Sequence, residues 1–210
     1  MGKVRCQISV SLDGYVAGPE QSPENPLGIG GMRLHEWVFA TRGWRAAHGR
    51  EGGEDGVDSE FMTRATEGVG ACIMGRKMFG GGEGPWDESW KGWWDEEPPF
   101  HVPVFVLTHH AREPLEMQGG TTFHFVTGGV EEALARAREA AGELDVAVSG
   151  GASAVQQVLA AGELDELQLH IVPVLLGGGE RLLANAGDPR LEPVEVVGSP
   201  GVTHITYRVG

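Results

Sequence analysis

The sequence predicts an α/β domain built on a substantially parallel sheet. Short β-like apolar runs alternate with stretches of helical periodicity along the 210 residues, the pattern of strands joined by crossover helices. Two of those runs, 71–74 and 146–149, stop at small residues, and the second restarts as a helix. The closing runs follow a long polar connection, which suits antiparallel strands at the end of an otherwise parallel sheet.

Residues 4–12 alternate loosely and are rich in β-formers, so they make the first strand. Asp13-Gly14 turns the chain, and 15–17 continues it briefly. Residues 18–31, rich in Gly and Pro, form a loop. Residues 34–44 carry Trp37, Phe39 and Trp44 without a clear period, and 46–56 is a polar, glycine-rich surface loop. Asp58 or Ser59 caps a helix running through residue 67, with Phe61, Met62 and Ala65 on one face. Residues 71–74 are a short buried strand, and 80–99 mixes glycine, tryptophan and acid with no period. Strands follow at 102–108 and 121–127. The clearest helix is 130–141: apolar positions 130, 133, 134, 137 and 141 form one stripe, and Glu131 and Glu132 suit its first turn. A strand at 145–149 leads to a helix at 152–161, ended by Gly162. Residues 164–176 read as a long strand, 192–197 as one more, and 203–209 as the last. No linker divides the chain, so 1–210 reads as a single domain, with 18–31 and 46–56 as insertions.

Composition narrows the partners. Sixteen basic against 30 acidic residues give a formal net charge of −14, unfavourable for general binding to nucleic acid or to an anionic membrane. No apolar run approaches the ~20 residues needed to cross a bilayer, and the N-terminus lacks a secretion-signal pattern, so a soluble, cytoplasmic protein is expected. The 34 glycines are spread without a period and read as many tight turns. Cys6 and Cys72 each sit inside an apolar run and belong to no Cys-x-x-Cys pair, which reads as two buried, reduced thiols.

The chemistry concentrates at strand ends. A strand that stops at small residues and restarts as a helix presents unpaired N–H groups and the positive end of the helix dipole to an anion. Gly150-Gly151-Ala152-Ser153 is such a turn, and its glycines let a pyrophosphate approach the backbone. Gly75-Arg76-Lys77 places two cations after another strand, and arginine meets phosphate bidentately. Together they point to a ligand with more than one phosphate, most simply a dinucleotide. The same segments also read as a plain strand-to-helix turn and as solvated surface charge. Neither a Gly-x-Gly-x-x-Gly fingerprint nor a P-loop is present. Leu107-Thr108-His109-His110 ends a third strand; Thr108 offers a hydroxyl to phosphate, and His109 stacks on or hydrogen-bonds an adenosine. Adjacent strand residues point to opposite faces, so His109 and His110 do not share an ion, and no metal is expected. Trp86, Trp90, Trp93 and Trp94 crowd one acidic segment. They either cap a site and stack on a flat substrate, or pack a loop against the sheet or a subunit interface.

These residues carry a resemblance. Residues 9–18, Ser-Val-Ser-Leu-Asp-Gly-Tyr-Val-Ala-Gly, resemble the opening of the dihydrofolate-reductase-like group that includes the reductase domain of bacterial riboflavin biosynthesis. Met74-Gly75-Arg76-Lys77 resembles that group's Gly-Arg turn. Residues 104–108, 149–153, 165–167 and 173–177 follow in the same order, so the resemblance spans nearly the whole chain. It implies a central, mostly parallel mixed sheet flanked by helices, an antiparallel C-terminal strand, and NADPH as cofactor. It further implies that Gly75, Arg76 and Lys77 contact phosphate and that Thr108 and His109 lie by the adenosine 2′-phosphate end. Gly150, Gly151, Ala152 and Ser153 would hold the pyrophosphate, and Ala17 would lie near the nicotinamide. Asp13 would face the substrate, as a hydrogen-bonding group or a proton relay; read alone, Asp-Gly is an ordinary turn pair. A homodimer is also implied. Met78 stands where members often carry a hydroxyl, and His110 where some carry a cation. Glu36 is the one candidate for a pterin-binding carboxylate between residues 34 and 47.

Two functions fit: a nicotinamide-dependent reductase of a small carbonyl, imine or heterocyclic compound, or a module that binds a nucleotide without turnover. The absence of a nucleophilic triad suits the first, because the coenzyme supplies the hydride.

Overall fold

The computed structural model describes residues 2–210. The elements run β1 (Val4–Ser11), β2 (Tyr15–Ala17), α1 (Glu36–Phe39), α2 (Arg42–Ala47), α3 (Val57–Thr66), β3 (Val69–Gly75), α4 (Arg76–Phe79), β4 (Pro103–Leu107), β5 (Leu115–Glu116), β6 (Thr122–Val126), α5 (Gly129–Ala141), β7 (Asp145–Gly150), α6 (Ala152–Ala160), β8 (Glu166–Val172), β9 (Glu180–Arg181), β10 (Leu191–Gly198) and β11 (Thr203–Val209). One nine-stranded sheet has the order β10-β11-β8-β1-β7-β3-β4-β6-β5. Its central strands, from β8 to β6, are parallel, while β11, β10 and β5 are antiparallel. This is the mostly parallel mixed sheet with an antiparallel C-terminal strand that the sequence predicted.

Period-two alternation sends alternate side chains to opposite faces. Ala71 and Ile73 of β3 and Phe105 and Leu107 of β4 meet the helix stripe Ala133, Leu134, Ala137 and Ala141 of α5 in the larger core, together with Val155, Val158 and Leu159 of α6. Their neighbours Cys72, Met74, Val104 and Val106 form a second core on the other face with Phe79, Phe123 and Phe125. Among the described helices only the single turn α4, through Met78 and Phe79, packs on this second core. The irregular stretch 80–99 covers it, with Trp86, Trp90 and Trp94 packed against it. Trp86 stands edge-on to Phe79 and Phe125, and Trp94 stacks on Phe123. Both cysteines are buried, and burial pushes the Cys6 thiol up to about 12 and that of Cys72 to about 11.

The face of β1, β8 and β11 beneath α1–α3 is polar. His204 of β11 and His170 of β8 are register partners, and their Nδ1 atoms lie 2.6 Å apart. The Nε2 of His204 donates to Asp58 Oδ1 at 2.8 Å, so His170 Nδ1–H donates to His204 and the Nε2 of His170 is left bare and without a partner. Burial, and then His204, push His170 down to about 3, so it is neutral. Phe61 stacks on the His204 ring, and Trp37 packs on both rings while its Nε1 donates to Ser9 Oγ at 3.2 Å.

Several boundaries differ from the sequence reading. Asp58 and Ser59 do not cap α3; Gly56 precedes it without a side-chain cap, and both residues lie in its first turn, where Asp58 serves His204 and Ser59 Oγ accepts the Gly43 N–H. The strand expected over 164–176 stops at Val172, because Pro173 has no N–H for the ladder. Residues 15–17 do not extend β1 but pair with β9 in a separate two-stranded sheet. Residues 34–44 hold short helical turns. No described helix is long and apolar enough to cross a membrane.

Candidate active site

The parallel strands β7, β3 and β4 end together. Gly75 is the register partner of Leu107, Met74 pairs with Gly150, and Thr108 N–H donates to Val126 O at 3.0 Å. Gly75, Thr108 and Gly150 therefore stand side by side at the carboxyl end of the sheet, where α/β folds bind ligands. Pairing of β1 with β7 stops at Cys6 and Val148, whereas β1 stays paired with β8 to Ser11 and Val172. The two strands part here, and the Gly150-Gly151 turn leads into α6 beside the gap. The Gly150–Gly151 peptide is cis, and Gly150 has φ +127°.

The first turn of α6 has no side-chain cap and no acidic residue; its third amide, Ala154 N–H, closes on Gly151 O at 3.1 Å, and the amides before it have no side-chain cap. A Cβ at Gly151 would meet nothing within 4 Å, so space lies open over this backbone. A Cβ at Gly75 would stand 3.7 Å from the Gly151 nitrogen and 3.6 Å from the Ala154 Cβ, which brings β3 and α6 together. Ala152 is buried and Ser153 is exposed; Gln157 Nε2 donates to Ser153 Oγ at 3.1 Å.

The cations at the β3 tip divide. Arg76 lies flat on the Trp86 indole, 3.7 Å from the ring centroid, and its Nε and Nη2 are buried without an acceptor. Desolvation lowers its pKa, against a smaller opposing pull from Glu83. Lys77 instead holds Glu180 of β9 at 2.6 Å. At the β4 tip, Thr108 Oγ1 accepts the His110 N–H at 3.2 Å, and the His110 carbonyl accepts from Trp86 Nε1 at 2.7 Å. His109 is exposed above this turn. Met78 lies against the turn as well, its sulfur 3.4 Å from where a Gly150 Cβ would be.

Asp13 and Ala17 belong to the same end of the molecule, beyond β1. Asp13 Oδ1 accepts from Ser11 Oγ at 2.6 Å and from Leu176 N–H at 3.2 Å, and Oδ2 accepts from Gly177 N–H at 2.8 Å. The Ser11 hydroxyl, aided by these amides, holds the carboxyl down to about 2. A carboxylate so held stays ionised at neutral pH, and its hydrogen bonds tie the β1 turn to the segment after β8. Ala17 is buried under β9, with Glu180 as its register partner. Glu36 is exposed at the start of α1, and no contact joins it to Asp13 or the strand tips.

The structure thus brings Gly75, Arg76, Thr108, His109 and the 150–153 turn to one edge of the sheet, with Asp13 and Ala17 on the adjoining turn. Sequence reading missed Trp86 as the platform under Arg76, and Glu180 and Arg181 as neighbours of Lys77 and Tyr15. Arg181 Nη2 donates to Tyr15 Oη at 2.7 Å. A surface groove of about 670 Å³ between α2, α3 and β10 lies elsewhere and is lined by paired charges such as Arg64–Glu195.

A family model, that of the RibD C-terminal domain, matches residues 2–203. Among solved structures, a protein ascribed to riboflavin biosynthesis from Shewanella sp. PV-4 is 22% identical, with a TM-score of 0.63, over 100% of this chain and 99% of that one. Dihydrofolate reductase from Enterococcus faecalis, complexed with NADP(H), is 15% identical with a TM-score of 0.56, over 99% and 96%. The Saccharomyces cerevisiae riboflavin biosynthesis reductase is 13% identical with a TM-score of 0.54, over 100% and 89%. At such identities the likeness shows the fold. No curated protein matches the chain.

Proposed function

The chain belongs to the RibD C-terminal domain family, and on that premise we propose that it is an NADPH-dependent reductase acting on a small carbonyl, imine or pterin-like heterocyclic substrate. The observation that carries this reading is the alignment of the β3, β4 and β7 tips beside the uncapped start of α6. That edge offers free amides, open space over Gly151 and an arginine lacking acceptors, a donor set that suits a pyrophosphate and a further phosphate.

A reduced nicotinamide supplies the hydride when bound. The chain's own work is binding and orientation. The amides of Gly151, Ala152 and Ser153 hold the pyrophosphate, with Gly75 permitting close approach. Arg76, Thr108 and His109 receive the adenosine 2′-phosphate end; the unsatisfied Arg76 donors favour NADPH over NADH. The backbone around Ala17 forms the floor at the nicotinamide end. Asp13, held by Ser11 and by the amides of Leu176 and Gly177, positions the turn that borders the substrate. The whole chain, 1–210, acts as one domain.

Titration of the protein with NADPH and NADH, followed by nicotinamide fluorescence and thermal shift, tests the reading. NADPH binding, with oxidation in the presence of one of a panel of carbonyl, imine and pterin compounds, supports it. Failure of both coenzymes to bind overturns it. One alternative, a nucleotide-binding module without turnover, predicts binding but no oxidation with any acceptor.

A further inference from the structure

The residue expected to meet phosphate at the β3 tip is already taken. Lys77 Nζ lies 2.6 Å from Glu180 Oε1, across 103 residues of chain. Glu180 belongs to β9, a two-residue strand that is fixed on three sides. It pairs with β2 through Ala17 and Tyr15. The Arg181 guanidinium holds Tyr15 Oη and the Asp13 carbonyl. Gln156 of α6 donates to the carbonyls of Arg181 and Leu182 at 2.8 and 3.1 Å. Gly179, just before it, packs so closely on the Ala17 carbonyl that no side chain fits. The backbone that carries Glu180 is therefore tied to α6 and β2, whose turns flank the gap, and the ion pair to Lys77 of α4 closes the circuit around the strand tips.

We propose that Glu180 sets the affinity for the dinucleotide by competing with its phosphates for Lys77. This rests on the reading of these strand tips as the coenzyme site. In the free protein the pair neutralises Lys77 and stands a carboxylate beside the anion-binding turn. A pyrophosphate carries more negative charge than one carboxylate, so binding transfers Lys77 from Glu180 to phosphate and leaves Glu180 to solvent. Both side chains keep solvent access, 63% for Lys77 and 35% for Glu180, so the exchange needs no rearrangement of the backbone.

The test is a double-mutant cycle of NADPH affinity, measured by calorimetry on wild type, Glu180→Gln, Lys77→Gln and the double variant, at low and high salt. Thermal melts confirm that each is folded. Glu180→Gln tightens NADPH about two- to fivefold, the range set by an exposed ion pair. High salt shrinks the gain, and the gain disappears in the Lys77→Gln background. An unchanged Kd in Glu180→Gln, or an equal gain with and without Lys77, overturns the proposal while leaving the coenzyme reading intact. If wild type binds neither coenzyme, both fall.

Discussion

Replacing Ser153 by aspartate separates folding from binding at the α6 turn. Ser153 is exposed at the second position of α6, a helix with no acid in its first turn and no side-chain cap. A carboxylate there meets the positive end of the helix dipole, a gain of about 0.3–1 kcal/mol. For a chain of this length, that raises Tm by about 1–3 °C. The same charge would stand against a pyrophosphate held at this turn, as proposed. Two unit charges about 4 Å apart repel by about 1 kcal/mol in water and about 4 kcal/mol at an effective dielectric constant near 20. NADPH affinity therefore drops about fivefold or more while the protein becomes slightly more stable. Ser153→Ala, which removes only the hydroxyl that accepts from Gln157, stays within about threefold of wild type. Calorimetric titration alongside differential scanning calorimetry reads both quantities on one sample. An aspartate variant that binds NADPH within twofold of wild type refutes the assignment of the pyrophosphate to this turn.

Three further outcomes follow from the packing and the charges. Asp58→Ala leaves the fully buried His204 Nε2–H without an acceptor and lowers unfolding free energy by about 2–3 kcal/mol, whereas Asp58→Asn keeps an acceptor oxygen and costs under about 1; urea titrations that give equal losses contradict the assigned tautomers. Phe79→Ala empties the second core where three aromatic rings meet it and costs about 3–5 kcal/mol, with loss of near-ultraviolet tryptophan signal as 80–99 detaches; a loss under about 1 kcal/mol would show that this stretch is not held by the core. Asp13 has its pKa lowered from 3.8 to about 2, so its contribution is complete above the ordinary carboxylate range and disappears as pH falls toward 2. Acid unfolding of Asp13→Asn lacks that part of the slope, and a curve superimposable on wild type would argue against the tie between the β1 turn and the segment after β8.

What could be read in the sequence was what repeats locally. The 3.6-residue stripe of α5 and the loose two-residue alternation of β1 are signals of period, and these elements lie where they were expected. The Gly150–Ser153 turn was readable because a strand end, small residues and a helical run adjoin in sequence. What escaped depends on distant partners. Asp58 beside Ser59 has the composition of a helix cap, yet its partner is His204, 146 residues away. β2 and β9 span three and two residues, too few to display any period, and each exists only because the other does. The amides of Leu176 and Gly177 that hold Asp13 lie more than 160 residues on, beyond the reach of any local pattern. The tryptophans of 80–99 were equally consistent with a cap over a site; the rings of Phe79, Phe123 and Phe125 decide the matter for Trp86 and Trp94.

The two borders of the large sheet bear on how copies of this chain meet. β10 shows Val194 and Val196 to solvent, an arrangement that invites another strand to dock. Pro193 has no N–H to offer, and the ladder to β11 slips between Pro193 and Glu195, which breaks the row of evenly spaced donors and acceptors a newcomer would copy. At the opposite border β5 presents two residues. Neither rim is a good template for endless edge-to-edge growth, so strand-on-strand stacking of copies is disfavoured at both ends of the sheet.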